Sequence, residues 1–251
     1  VPLFIRTNRN VVLTKEGMRL RKRAQEIVDL MDRTQEEFAA PADDVSGEIF
    51  IGGGETHVMR RVAQVATQLQ QDYPGIRYHL FSGSAADVSE RLDKGLLDFG
   101  IVIEPADIQK YDSVRIPGSD TWGLLMPGGH PLSERESIRA EDLVKVPLLA
   151  SRQNLGSARL PGWLGRCLEH CNIVASYNLI FNAAIMVEEG MGCALCLDKL
   201  VDSASRPELC FRPLSPRLDV GLDLIWKKYQ ILSPAAELFL QRAQEAFSEA
   251  P

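Results

Sequence analysis

From Gly17 onward, small and apolar residues recur at Gly17, Leu20, Ala24, Ile27, Met31, Thr34 and Phe38, in strict three–four alternation. That spacing is the seam of a coiled coil rather than the broad face of a globular helix. A helix over residues 14–40 with such a seam must find a partner surface, and this constrains the chain more than any other feature. Thr14 predicts its N-cap, and Glu16 sets a carboxylate in the first turn, where the helix dipole favours it. Arg19, Arg21, Lys22 and Arg23 make the first half cationic, while Glu26, Asp29, Asp32, Glu36 and Glu37 make the second half anionic. Pro41 and the Ala42-Asp43-Asp44 stretch separate the helix from the next strand. The helix can dock on its own body or pair with a second copy. The seam and the breaker favour a dimerising stalk, with Leu20, Ala24, Ile27, Met31 and Phe38 as its contacts.

The remaining chain has a different character. Of 251 residues, 45% are hydrophobic, enough for a substantial core in two lobes. The net charge of −6 argues against nucleic-acid binding by the body, whereas the first 23 residues are strongly basic. No apolar run is long enough to span a membrane, and no signal peptide is visible, so the expectation is a cytoplasmic protein without a membrane partner. Five cysteines do not suggest a secreted disulfide framework. Cys193 and Cys196 form a C-x-x-C inside an apolar strand-like run, where residues three apart point to opposite faces. Cys167, His170 and Cys171 share a helical face, but no second pair stands at ligand spacing. The reading is buried thiols, no metal and no cofactor.

Along the body, strands at residues 46–52, 76–81 and 97–103 alternate with helices at 58–69 and 86–94, which predicts an α/β fold with a parallel sheet wrapped by helices. A second unit begins near Trp122. Its expected strands are 121–126, 146–150, 173–178 and 193–197, and its expected helices 139–143, 160–169 and 183–189. A strand at 222–226 and a helix at 234–248 close the chain. No hydrolase or metal motif surrounds any of the four histidines, and neither glycine-rich turn carries the Gly-Lys-Ser/Thr ending of a phosphate loop, so no catalytic residue is assigned and the chain reads as a non-enzyme. In open α/β sheets, ligands bind outside the C-terminal ends of the strands. That rule selects Gly54, Glu55 and Thr56, then Ser82 to Ser84, then Ile103 to Pro105, and in the second unit Ser151, Arg152 and Gln153.

The opening LFIRTNRNVVLTKEG resembles the end of the winged helix-turn-helix and the start of the linker helix of LysR-type transcriptional regulators. The resemblance continues through YPGI at 73–76, GLLDFG at 95–100, HPL at 130–132 and VEEGMG at 187–192, in the family's own order. It implies two Rossmann-like lobes joined by two crossover strands, similar to a periplasmic binding protein, preceded by a long linker helix. The implied division is a wing remnant at 1–13, the linker at 14–40, lobe I at 47–118 plus 224–251, and lobe II at 119–223. The recognition helix would then be missing from this sequence, and DNA would be a partner of the full-length protein only.

The resemblance places the effector cleft at Glu55-Thr56, Ile103, Ser151-Arg152-Gln153 and Phe181-Asn182, and the wing's phosphate contacts at Arg6, Arg9 and Lys15. Thr56 can cap its helix, or cap it and also face the cleft. Two effector classes stay open: a small carboxylate held by Arg152 and helix N-termini, or a polar or cationic molecule held by Glu55. The family's small-acid effectors favour the first. The implied function is ligand-responsive transcription control by a homodimer or tetramer. The alternative on the same architecture is a solute-binding protein of a transport system, which has no use for residues 3–38.

Overall fold

The structure is a computed structural model that describes residues 1–7, 10–39, 45–152, 159–203 and 206–248, and within the first helix not the side chains of Asp29, Arg33 and residues 36–39. Arg9, Gln153, the Phe38 side chain and the Pro41–Asp44 breaker lie outside the described residues. The chain opens with an antiparallel hairpin of β1 (Phe4–Arg6) and β2 (Val11–Leu13). Helix α1 (Lys15–Ala39) comes next, and the Thr14 hydroxyl accepts the Gly17 N–H at 2.9 Å, the N-cap the sequence predicts.

At 100° per residue, Met18, Lys22 and Glu26 stand on the side of α1 opposite the seam. That side meets the body: Lys94 Nζ lies 2.7 Å from Glu26 Oε1, and Lys22 Nζ lies 3.7 Å from Glu90 Oε1. Leu20, Ile27 and Met31 on the seam are 50%, 68% and 57% exposed. Docking and a free seam therefore coexist on one helix.

Strand β3 (Gly47–Gly53), α2 (Met59–Asp72), β4 (Ile76–Ser82), α3 (Ala85–Asp93) and β5 (Phe99–Ile103) build the first lobe. The second contains β7 (Pro147–Ser151), β8 (Asn172–Tyr177), β9 (Cys193–Leu197) and β10 (Leu209–Pro213), with α4 (Ala140–Leu143), α5 (Arg159–Leu164) and α6 (Ile180–Glu188). Two strands run between the lobes, β6 (Tyr111–Pro127) and β11 (Asp219–Lys227), and α7 (Pro234–Ser248) returns to the first lobe. The sheet order is β4-β3-β5-β11-β6-β9-β7-β8, with β10 on β6. Its two ends repeat one plan: three parallel strands followed by an antiparallel fourth, β11 in one case and β6 in the other.

Each lobe buries both sheet faces, as parallel sheets require. In the first lobe α2 and α7 cover one face around Phe99 and Phe239, and α3 covers the other through Val88 and Leu92. In the second, α4 and α5 pack around Trp122 and Leu148, and α6 packs through Ala183, Ala184 and Val187.

Several boundaries differ from the sequence reading. Strand β6 begins at Tyr111 rather than Thr121, because residues 111–121 pair with β11 along the crossing. Strand β5 begins at Phe99: the Asp98 carboxylate accepts the Phe50 N–H at 2.8 Å, anchoring the turn before it. The predicted helix at 160–169 breaks after Leu164 into a 3₁₀ segment, with Gly165 at φ +52. Helix α6 begins at Ile180, three residues earlier than predicted. Strand β10 and the Ser84–Asp87 capping box of α3 went unpredicted.

Gly123 is closely packed: a Cβ there would stand 2.1 Å from Phe211 Cζ and 2.6 Å from the Arg212 carbonyl oxygen. Gly123→Ala is expected to cost about 1–3 kcal/mol through overpacking. Urea denaturation should show a lower midpoint at an unchanged slope.

Candidate functional site

Strand β3 ends in glycines, and the chain enters α2 through Glu55, Thr56, His57 and Val58. The Thr56 hydroxyl accepts the Val58 N–H at 3.1 Å, opening the helix, and donates in a very short bond to Asp120 Oδ2. Both residues are buried, Asp120 at 0% exposure. The helix start of the first lobe is thereby tied to the crossing strand β6. Burial lifts the Asp120 carboxyl above the ordinary aspartate range, the Thr56 donation opposes that shift, and the Asp198 charge adds to it. Asp120 Oδ1 has no hydrogen-bond partner among the described residues.

Glu55 reaches across to the second lobe. Its Oε2 accepts the N–H of Ile180, the first residue of α6, at 2.5 Å. Leu179, at the N-cap of α6, makes no side-chain bond to the helix. A carboxylate from one lobe thus caps a helix of the other, where the exposed N–H groups and the helix dipole favour negative charge.

Four of the sequence-selected residues, Gly54, Glu55, Thr56 and Ser82, come together around a cavity of about 300 Å³ at the strand ends, closed by Leu200 of the second lobe. Ile103 adjoins them: a Cβ on Gly54 would stand 3.7 Å from Ile103 Cδ1. Ser151 is buried at the end of β7. Arg152 does not meet Glu55; its Nε donates to Ser176 Oγ at 3.3 Å. Phe181 and Asn182 are turned to the outer side of α6, Phe181 with 62% exposure, because Ile180, Ala183, Ala184 and Val187 take the inner face. Neither lines the 300 Å³ cavity. Arg6 and Lys15 are exposed on the hairpin and at the start of α1.

Sequence reasoning missed Asp120, the Ile180 amide and Leu200. Asp120 carried no local signal, because it follows Pro117-Gly118-Ser119 in a stretch that reads as a loop. The Ile180 amide carried none, because Glu55 meets it 125 residues away in sequence.

A larger recess, about 950 Å³, lies on the other flank of the 198–203 loop and is lined by His57, Arg60, Thr121, Asp198, Lys199 and Arg217, among others. None of the sequence-selected residues lines it. Lys199 pairs with Asp198 at 3.2 Å, and Arg217 holds Asp219 at 2.8 Å and the Thr121 hydroxyl at 3.0 Å. Cys193 and Cys196 belong to opposite faces of β9, and burial pushes each thiol up to about 12. All five cysteines are free.

This arrangement defines a two-lobed α/β domain of the periplasmic-binding-protein type, with a cleft at the ends of its parallel strands. A family model described as the LysR substrate binding domain matches residues 42–248, and the chain belongs to that family. It is 25% identical to the HTH-type transcriptional regulator YvbU of Bacillus subtilis, over 98% of this chain and 84% of that protein. It is 24% identical to the HTH-type transcriptional regulator IlvY of Escherichia coli, over 82% of this chain and 70% of that one. Among solved structures, the LysR family regulator CbnR superposes with a TM-score of 0.74 at 18% identity, covering 94% of this chain and 82% of its own. The effector-binding domain of QuiR in complex with shikimate superposes with a TM-score of 0.70 at 15% identity, covering 81% and 98%.

Thr56→Val should cost about 1–3 kcal/mol, because it leaves a buried carboxyl oxygen without its donor. Asp120 also makes a signed pH prediction. Its carboxyl holds its proton to higher pH in the fold than in the unfolded chain, so stability falls as pH rises from about 4 through the folded value. Asp120→Asn should flatten that fall, as read from urea midpoints across the pH series.

Proposed function

We propose that this chain is the sensing region of a ligand-responsive LysR-type transcriptional regulator. A small molecule occupies the cleft at Gly54, Glu55, Thr56 and Ser82 and alters the arrangement of the lobes. The observation that carries this reading is the cross-lobe contact of Glu55 with the Ile180 amide beside a cavity at the strand ends. A molecule seated there touches the two lobes at their point of contact, so its affinity depends on their arrangement. It shifts the population toward the arrangement it binds better. The QuiR domain carries shikimate and CbnR has been solved with its target DNA, which supports an effector and an operator as the two partners.

The exposed seam of α1 supports pairing with a second copy. The basic hairpin before it, with Arg6 and the adjoining Lys15, supports phosphate contacts that position without reading sequence. The role is that of a receptor, not an enzyme, and it is exercised in the cytoplasm, where the operator lies. A transport role on the same architecture is disfavoured, because the relatives are HTH-type regulators over most of their length. Among the described residues, no helix is long and apolar enough to cross a membrane.

A thermal-shift screen of small acids, amines and aromatics tests the receptor reading, since a cleft ligand stabilises by mass action. A hit should lose its shift in Thr56→Val, and one indifferent to that change binds elsewhere. Replacing Ile27 with Lys should convert a dimer into a monomer in sedimentation velocity while leaving the melting of the body unchanged.

A further inference from the structure

Among the described residues, one ionisable side chain lines the 300 Å³ cavity, and it is an acid. Of those lining the 300 Å³ cavity, Glu55 alone is ionisable; the others are glycines, hydroxyls and apolar side chains such as Met59, Phe81 and Leu200. The cations nearby are engaged or face elsewhere. Arg152 bonds Ser176, Lys199 pairs with Asp198, and Arg91 sits 4.0 Å over the Phe81 ring in the groove beneath α1. His57 and Arg60 line the larger recess on the other flank. Residues 153–158, Gln-Asn-Leu-Gly-Ser-Ala, carry no charge by sequence.

One favourable anion position beside the cavity, the Ile180 N–H at the start of α6, is filled by the protein's own carboxylate. A carboxylate ligand in the cavity lies beside Glu55, with no cation among the described residues lining the cavity to offset two like charges. An ammonium or guanidinium meets the opposite situation. Glu55 Oε2 stays on the Ile180 amide, and Oε1, to which no bond is assigned among the described residues, faces the ligand. Thr56 and Ser82 hydroxyls and the apolar side chains receive the rest of a small molecule, in a cavity at the small end of ligand pockets.

Resting on the reading of this cleft as the effector site, we propose that the effector is a small cation, an alkylamine or guanidine with a short apolar body. Glu55 is then both the interlobe clasp and the specificity determinant. Binding such a cation orders the clasp rather than breaking it, so the effector favours the arrangement in which Glu55 holds the Ile180 amide.

Isothermal titration at constant ionic strength separates the alternatives, with n-butylammonium and agmatine as cationic probes and butyrate as the matched anion. They are applied at millimolar concentration to the native chain, to Glu55→Gln and to Thr56→Val. Glu55→Gln keeps an acceptor for the Ile180 amide and removes only the charge, and its thermal melt checks the fold. The expected result is that a cationic probe binds the native chain in preference to butyrate, and that Glu55→Gln weakens it about tenfold or more. Tighter binding of butyrate, cation binding unchanged in Glu55→Gln, or no binding of either cation overturns the proposal. If butyrate binds and Thr56→Val abolishes that binding, the charge assignment fails while the cleft stands. Probe binding indifferent to Thr56→Val removes the cleft reading itself.

Discussion

Strands β6 and β11 belong to both lobes and form the covalent and hydrogen-bonded connection between them. They pair antiparallel from Tyr111 opposite Lys227 to Thr121 opposite Asp219, with a register shift between Val220 and Leu222. Beyond that ladder β6 continues into the second lobe against β9 and β10, while β11 pairs with β5 in the first. A connection of two hydrogen-bonded strands lets the lobes bend about the ladder but does not let them slide apart. The crossing is also polar. Thr121 donates its N–H to Asp198 at 2.9 Å and its hydroxyl to Asp219 at 2.6 Å, and Arg115 pairs with Glu104 and lies 3.4 Å from Asp223. Polar contacts of fixed geometry favour discrete arrangements over continuous deformation.

The site is built where that ladder meets the strand ends. Thr56 bonds backward to β6 through Asp120, and Glu55 bonds forward to α6, so two consecutive residues report on the crossing and on the far lobe at once. A ligand beside them needs only a modest preference between lobe arrangements to change their populations. Helix α1 is placed to pass such a change onward. Its docked side meets Lys94, just past the end of α3, through Glu26, and the described seam residues Leu20, Ile27 and Met31 are exposed on the opposite side.

The parts of this structure legible in the sequence were those set by local patterns. The three–four seam, the Thr14 cap and the alternation of apolar strands with amphipathic helices are short-range signals, and they placed most elements. The strand-end rule brought Gly54, Glu55, Thr56 and Ser82 to one cavity because it depends on topology rather than on any motif. What escaped depends on distant partners. Tyr111 to Thr121 looks like a loop, with Pro117-Gly118 in it, until β11 pairs with it from a hundred residues away. The partner of Arg152, Ser176 on the neighbouring strand, depended on the β7–β8 register.

Glu55 clasps the second lobe at the N-terminus of α6, and amide hydrogen exchange at Ile180 reads that contact. An N–H in the first turn of a helix has no acceptor within that helix, so its protection must come from elsewhere. The account predicts that Ile180 is protected in the native chain and exchanges freely in Glu55→Ala, while Ala184 and Val187, deeper in α6, keep their protection. Equal exchange at Ile180 in the two proteins would contradict it.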